Sequence, residues 1–188
     1  MSRKIKNPKV VLQLMAKLFT EAKYTEAIVA SKKFKNLCQN KAGFHLIVGL
    51  CELKLGNYES AVVALLKCSN LEPFNIGHKC NLAVAFQKEG ELDQAEILLK
   101  QILQLEPFNI SAICTLGNVY SEKQLIKQAL YQFEMANKHS PNTFSILYSL
   151  ANNLMKSQQP DKAIEKFKLC QTLNPMHADL ALEYGKAL

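Results

Sequence analysis

From residue 8 onward, apolar side chains recur every three or four positions, in blocks separated by short polar stretches. Leu82, Ala83 and Phe86 form one such stripe, and Ala95, Leu98, Leu99, Ile102 and Leu103 form the next. That spacing is the period of a helix, not the alternation of a strand. β-branched residues are scattered, and no Asn-Gly or Asp-Gly pair marks a hairpin. Gly56 and Gly90 fall between stripes, where a left-handed residue ends a helix. Prolines follow alternate stripes, where they stop helix propagation. The pattern predicts helices at 8–20, 24–37, 42–54, 58–71, 76–88, 92–105, 110–122, 126–139, 144–156, 160–172 and 178–187.

The helices pair because the chain repeats itself. The string LEPFNI occurs at 71–76 and again at 105–110, a shift of 34. Pro73, Pro107, Pro141 and Pro175 keep that step, as do Ala27, Ala61, Ala95, Ala129 and Ala163. A small column runs through Gly49, Ala83, Gly117, Ala151 and Gly185, preceded by the large Leu14, Val48, Leu82, Leu116, Leu150 and Tyr184. Two helices approach closely only where one presents a small residue, so these columns mark helix contacts. A single 34-residue pair cannot bury its own apolar face, and neighbours must stack.

This spacing resembles the tetratricopeptide repeat. The third unit carries the likeness in Leu82-Ala83, Phe86, Gly90, Ala95, Leu99, Leu105 and Pro107. The fourth carries it in Leu116-Gly117, Tyr120, Ala129, Phe133, Ala136 and Pro141, and the fifth in Leu150-Ala151, Ala163, Phe167 and Pro175. The first unit is degenerate, with Met15 in the small column, Phe34 in an Ala column and Gln39 in the proline position. The resemblance implies an all-α fold, a right-handed α-solenoid of stacked antiparallel helix pairs. Its repeats would fall at about 8–41, 42–75, 76–109, 110–143 and 144–177, with a partial repeat or capping helix at 178–188, in one array over 1–188.

The same resemblance implies a concave groove lined by the first helix of each pair, where such proteins bind peptides or protein segments. The groove columns hold Leu12, Ala16, Phe19, Leu46, Ile47, Leu50, Leu53 and Val84 in the first half, then Asn81, Thr115, Asn118, Ser121, Tyr148, Ser149 and Asn152. The expected groove is apolar at one end and polar but uncharged at the other. Leu46, Leu50 and Leu53 are either a docking surface or are covered by the solenoid's own curvature or the N-terminal tail. A carboxylate clamp of the chaperone-binding kind does not fit, because Cys114 stands where a Lys is expected and Asp179 and Glu183 where a basic pair is expected. An asparagine ladder is broken by Gln13, Ile47, Thr115, Ser149 and Glu183.

Composition narrows the chemistry. Net charge is +7, and the positive excess is concentrated before residue 42. Only Arg3 is an arginine among 23 basic residues, and Trp is absent, which disfavours specific nucleic-acid recognition. Lys32, Lys33 and Lys35 either attract an acidic partner or membrane surface, or form the solvated face of an end repeat; the second reading is preferred. No apolar run is long enough to span a bilayer. The six cysteines occur singly, and without an export signal they read as reduced thiols in a cytoplasmic protein. Cys68 and Cys170 share a column with Ala136, as small core fillers. Cys80 and Cys114 share a groove column, too far apart for an easy disulfide. His78 and Cys80 point to different helix faces, a poor metal site. No nucleophile elbow, phosphate loop or zinc motif occurs.

The expected function is therefore a protein–protein interaction module or scaffold with no cofactor, no metal and no catalytic residue. Its expected partner is a protein or peptide, with no nucleic acid and no membrane insertion. The alternative is the N-terminal repeat segment of a larger enzyme, such as a sulfotransferase or glycosyltransferase. The final stripe, with Ala181, Tyr184, Gly185 and Leu188, carries few charges and predicts that the natural chain continues, or that this helix self-associates.

Overall fold

The computed structural model describes residues 7–187, with eleven α-helices. They are α1 (Pro8–Thr20), α2 (Tyr24–Cys38), α3 (Ala42–Leu55), α4 (Tyr58–Leu71), α5 (Ile76–Glu89), α6 (Leu92–Leu105), α7 (Ile110–Glu122), α8 (Ile126–His139), α9 (Phe144–Lys156), α10 (Pro160–Leu173) and α11 (Ala178–Ala187). Expected and observed boundaries differ by at most one residue. Arg3, Leu188 and the side chain of Asp179 lie outside the described residues. Contacts divide the chain into two compact units, Met1–Gln94 and Ala95–Leu188, with the division inside α6.

In the first unit α3 is the hub, packing against α1, α2, α4 and α5. That is why its sequence, AGFHLIVGLCELKL, is apolar on nearly every face rather than on one stripe. In the second unit α9 has the same role, packing against α7, α8, α10 and α11. The core of the first unit gathers Val11, Met15, Cys38 and Phe44, with Leu12, Phe34 and Ile47 partly buried against them. That of the second includes Ile113, Ala136 and Ile146.

The small column does what its spacing implies. A Cβ added at Gly49 would overlap the Leu65 side chain, and one at Gly117 would lie 2.9 Å from the Phe133 ring. Both partners are essentially fully buried and stand sixteen residues after their glycine. The first helix pair, α1–α2, exchanges the sizes: buried Met15 occupies the small column and buried Ser31 the large one. What reads as degeneracy is a swap between the two columns. Gly185 departs from the expected packing, since a Cβ there would meet nothing within 4 Å.

The string LEPFNI also has a local explanation. Asn75 and Asn109 cap α5 and α7, their side-chain oxygens accepting from His78 N at 3.2 Å and Ala112 N at 3.0 Å. The capping amides in turn donate to Glu72 and Glu106. The helix-ending column is left-handed throughout, with Ala22 (φ 56°), Gly56 (79°), Gly90 (91°), Gln124 (61°) and Gln158 (59°) at intervals of 34. Only two of these five are glycine, so three carry the steric cost of a Cβ in that conformation.

Two expectations follow. Gly117→Leu forces the Phe133 ring out of place and costs about 1–3 kcal/mol or more. Thermal unfolding within about a degree of wild type would contradict this contact. Gln124→Gly and Gln158→Gly, both at exposed positions, each raise stability by about 0.5–1 kcal/mol through relief of left-handed strain. Denaturant midpoints check that, with Gly90→Ala as the opposite-sign control.

Candidate functional site

The groove candidates occupy first helices of both units. In the first unit Leu12 and Phe19 lie on α1, Leu46, Leu50 and Leu53 on α3, and Asn81 on α5. All six are half-buried. α3 touches both α1 and α5, which places these first helices side by side. Not all six side chains are equally available. Leu12 packs against the core cluster together with Ile47, and the Phe19 ring rests against Tyr24 with centroids 5.5 Å apart. Leu46, Leu50 and Leu53 recur at helical spacing and form the main apolar strip.

In the second unit Asn118 lies on α7, and Tyr148 and Asn152 on α9; all three are half-buried. Tyr148 belongs to a ring cluster, stacked on Phe144 (5.8 Å), tilted on His177 (5.4 Å) and edge-on to Phe167 (6.2 Å). Only its remaining edge is left for a ligand. Thr115 and Ser121, read as polar groove positions, are buried. Thr115 Oγ1 donates to Ser111 O at 2.8 Å, and Ser121 Oγ accepts from Lys156 Nζ at 2.9 Å. Their hydroxyls serve the helix and the α7–α9 contact.

The sequence reading missed one cluster here. Glu96 on α6 accepts from Lys100 Nζ at 2.7 Å and from Lys123 Nζ at 2.5 Å, while Tyr120 Oη stands 3.4 Å away. Lys100 first, then Lys123, holds the Glu96 carboxyl below the usual carboxylate range. Spacing could have suggested the Glu96–Lys100 pair, four residues apart on one helix. Lys123 comes from 27 residues away.

The thiols are core groups. Cys51, Cys68 and Cys170 are fully buried, and burial pushes each to about 11. His45 is buried with Nε2 2.7 Å from Gln39 O. His78 Nδ1 approaches Glu72 Oε2 to 3.4 Å without hydrogen-bond geometry. The described residues bring together no group of three or more His, Cys, Asp or Glu able to hold a metal ion. No helix among them is long and apolar enough to cross a membrane.

The tetratricopeptide-repeat family model matches residues 42–75 and 79–109, which span α3–α4 and α5–α6. The match identifies two tetratricopeptide repeats within the chain. The chain resembles TTC0263, a thermophilic tetratricopeptide-repeat protein of Thermus thermophilus, with 20% identity, 96% of this chain and 98% of that one covered, and a TM-score of 0.75. It resembles MamA of Desulfovibrio magneticus with 17% identity, 91% and 97% covered, and a TM-score of 0.76. It also resembles YrrB, a tetratricopeptide-repeat protein with an unusual peptide-binding site, with 17% identity, 97% and 94% covered, and a TM-score of 0.69. At such identities the likeness speaks for the fold. No curated protein matches the sequence significantly.

The Glu96 cluster gives an acid-sensitive contribution to stability. A carboxyl held below its unfolded value stabilises the fold at neutral pH, and that stabilisation is lost as pH falls through the folded value. Glu96→Gln should therefore lower the melting temperature at pH 7 and leave it nearly unchanged once wild-type Glu96 is protonated. A constant difference across the acid range would remove the ion cluster as the cause.

Proposed function

We propose that this chain is a protein-binding scaffold that takes up a peptide or protein segment along the first helices of its repeats, and that it performs no chemistry itself. Tetratricopeptide repeats are protein-interaction scaffolds, and this reading applies that role to the whole array, 1–188. The observation that carries the specific site is the α3 strip. Leu46, Leu50 and Leu53 are large apolar residues at helical spacing, left half-buried on a helix that packs against four others. Half-exposed leucines in a row supply the hydrophobic contact that an interaction surface needs. On the second unit, taken by itself, Asn118, Asn152 and Ser149 offer uncharged hydrogen-bonding groups along α7 and α9. Peptide binding by YrrB supports the class of ligand.

The test is affinity capture from native lysate with the wild-type chain, followed by quantitative binding of the captured partner to Leu50→Glu. A carboxylate on the strip should weaken binding by about tenfold or more, with helicity and melting temperature retained. Equal binding by the variant places the interaction surface elsewhere on the molecule.

A further inference from the structure

The first unit has a second concavity, on the other side of α3 from the leucine strip. A pocket of about 390 Å³ opens between α2 and α4 over α3. With 3.6 residues per turn, Phe44, His45, Val48 and Glu52 project roughly opposite to Leu46, Leu50 and Leu53. Phe44 and Val48 line its base, and Ile28, Val63 and Ala64 line its walls. Its volume is near the lower end of the roughly 300–1,000 Å³ of ligand sites, suited to an anchoring side chain rather than a whole cofactor.

Its charge is arranged by position. Lys35 and Lys67 come from the second halves of α2 and α4, with Lys32 one turn earlier. Glu59 comes from the first turn of α4, and Glu52 from the last part of α3, where Asn57 Nδ2 donates to it at 2.8 Å. Because α3 runs antiparallel to its neighbours, both carboxylates lie toward one end and the lysines toward the other. Among the described residues no carboxylate forms an ion pair with Lys32, Lys35 or Lys67, and all three are exposed.

Crevices of this kind recur with the repeat, and the first differs from the others in what lines it. In the crevice between α4 and α6, Leu66 stands where α2 has Lys32, and Ser69 is the counterpart of Lys35. In the crevice between α8 and α10 the counterparts are Glu134 and Asn137, and its lysines, Lys138, Lys162 and Lys166, stand at other positions beside Glu134 and Glu165. On α6 the counterparts are Lys100, which is paired with Glu96, and Leu103. The fold therefore does not require lysine at these positions. The first crevice also has Ser31 in its wall, at the position that Leu65, Phe133 and Phe167 take in later repeats; the Ser31 hydroxyl turns back to Ile28 O at 2.8 Å. The column swap that lets Met15 fill the α1–α2 contact removes the bulky side chain from this wall.

We infer that the α2–α4 crevice binds an acidic peptide segment that seats one large apolar side chain on Phe44 and Val48 and sets its carboxylates against Lys32, Lys35 and Lys67. The apolar base selects for a peptide anchor over a sugar–phosphate backbone, which has none to offer. Glu52 and Glu59 oppose a polyanion laid along the full crevice while leaving the lysine end free. This site is separate from the leucine strip and does not depend on it.

The probe is a fluorescein-labelled peptide with one phenylalanine followed by four glutamates, titrated into the full chain by fluorescence polarisation at low ionic strength. Saturable binding is expected, weakening as salt screens the lysines. The double variant Lys32→Glu/Lys35→Glu should weaken it by about tenfold or more. So should Ser60→Phe, which fills the crevice from an exposed position on α4, and so should replacing the peptide's phenylalanine by alanine. Leu50→Glu should leave it unchanged. All substituted residues are at least partly exposed, and thermal melts confirm folding; should one variant misfold, the other still decides. No saturable binding overturns the inference, as does full affinity in both crevice variants. Equal binding of the alanine peptide or of a single-stranded oligonucleotide also overturns it, in favour of unselective charge attraction. Loss of binding only in Leu50→Glu places the peptide in the groove, which sinks the crevice site and leaves the proposed function standing.

Discussion

Two helices joined by a short turn can share a core only if their backbones come close, and one position per pair sets that distance. At Gly49 and Gly117 the first helix has no side chain, and Leu65 or Phe133 of the second helix fills the space. The pairs depend on this contact because a buried large residue against a bare backbone gains dispersion and loses water at once. It also fixes which faces remain. Once one face of the first helix is committed to its partner, its other faces go to neighbouring pairs and to the groove. The first helix pair shows that the constraint concerns the sum of the two positions, since Met15 and Ser31 meet it with the sizes reversed.

Much of this was legible in the sequence because the punctuation is chemical. Proline cannot continue a helix, and glycine readily takes the left-handed turn at positions 56 and 90. The helix limits followed from those residues to within one position. The left-handed turns at Ala22, Gln124 and Gln158 carry no such mark in their side chains; they show only when the 34-residue register is carried across. Asn75 and Asn109 were visible as part of a repeated string, and their capping role depends on backbone geometry that a string does not state.

The candidate groove was legible as columns but not as free surface. Spacing places Leu12, Phe19 and Tyr148 on first helices, and that is where they lie. What spacing does not give is which neighbour reaches them. Leu12 is drawn into the core cluster, Phe19 is met by Tyr24, and Tyr148 is held by Phe144, Phe167 and His177. Thr115 and Ser121 went further, into burial, because a hydroxyl can satisfy itself on a carbonyl or a lysine and then tolerate the interior. Leu46, Leu50 and Leu53 remain half-buried as the strip although α3 packs against four helices.

A repeated backbone makes repeated concavities, so shape alone cannot tell one binding surface from another within such a chain. The crevices between second helices recur because the register recurs, and what distinguishes them is which side chains the register brings to the rim. Reading Lys32 and Lys35 as a solvated end face treated them as a property of one helix. Set against Leu66 and Ser69, Lys100 and Leu103, or Glu134 and Asn137, two lysines with no ion pair among the described residues become a difference between equivalent positions. The same register then connects that difference to a second one, since Ser31 on the same helix is small where its counterparts are large. Two departures from the repeat on one wall, one opening the space and the other charging its edge, carry more weight than either would alone, because the packing of the helix pair accounts for the first and leaves the second unexplained.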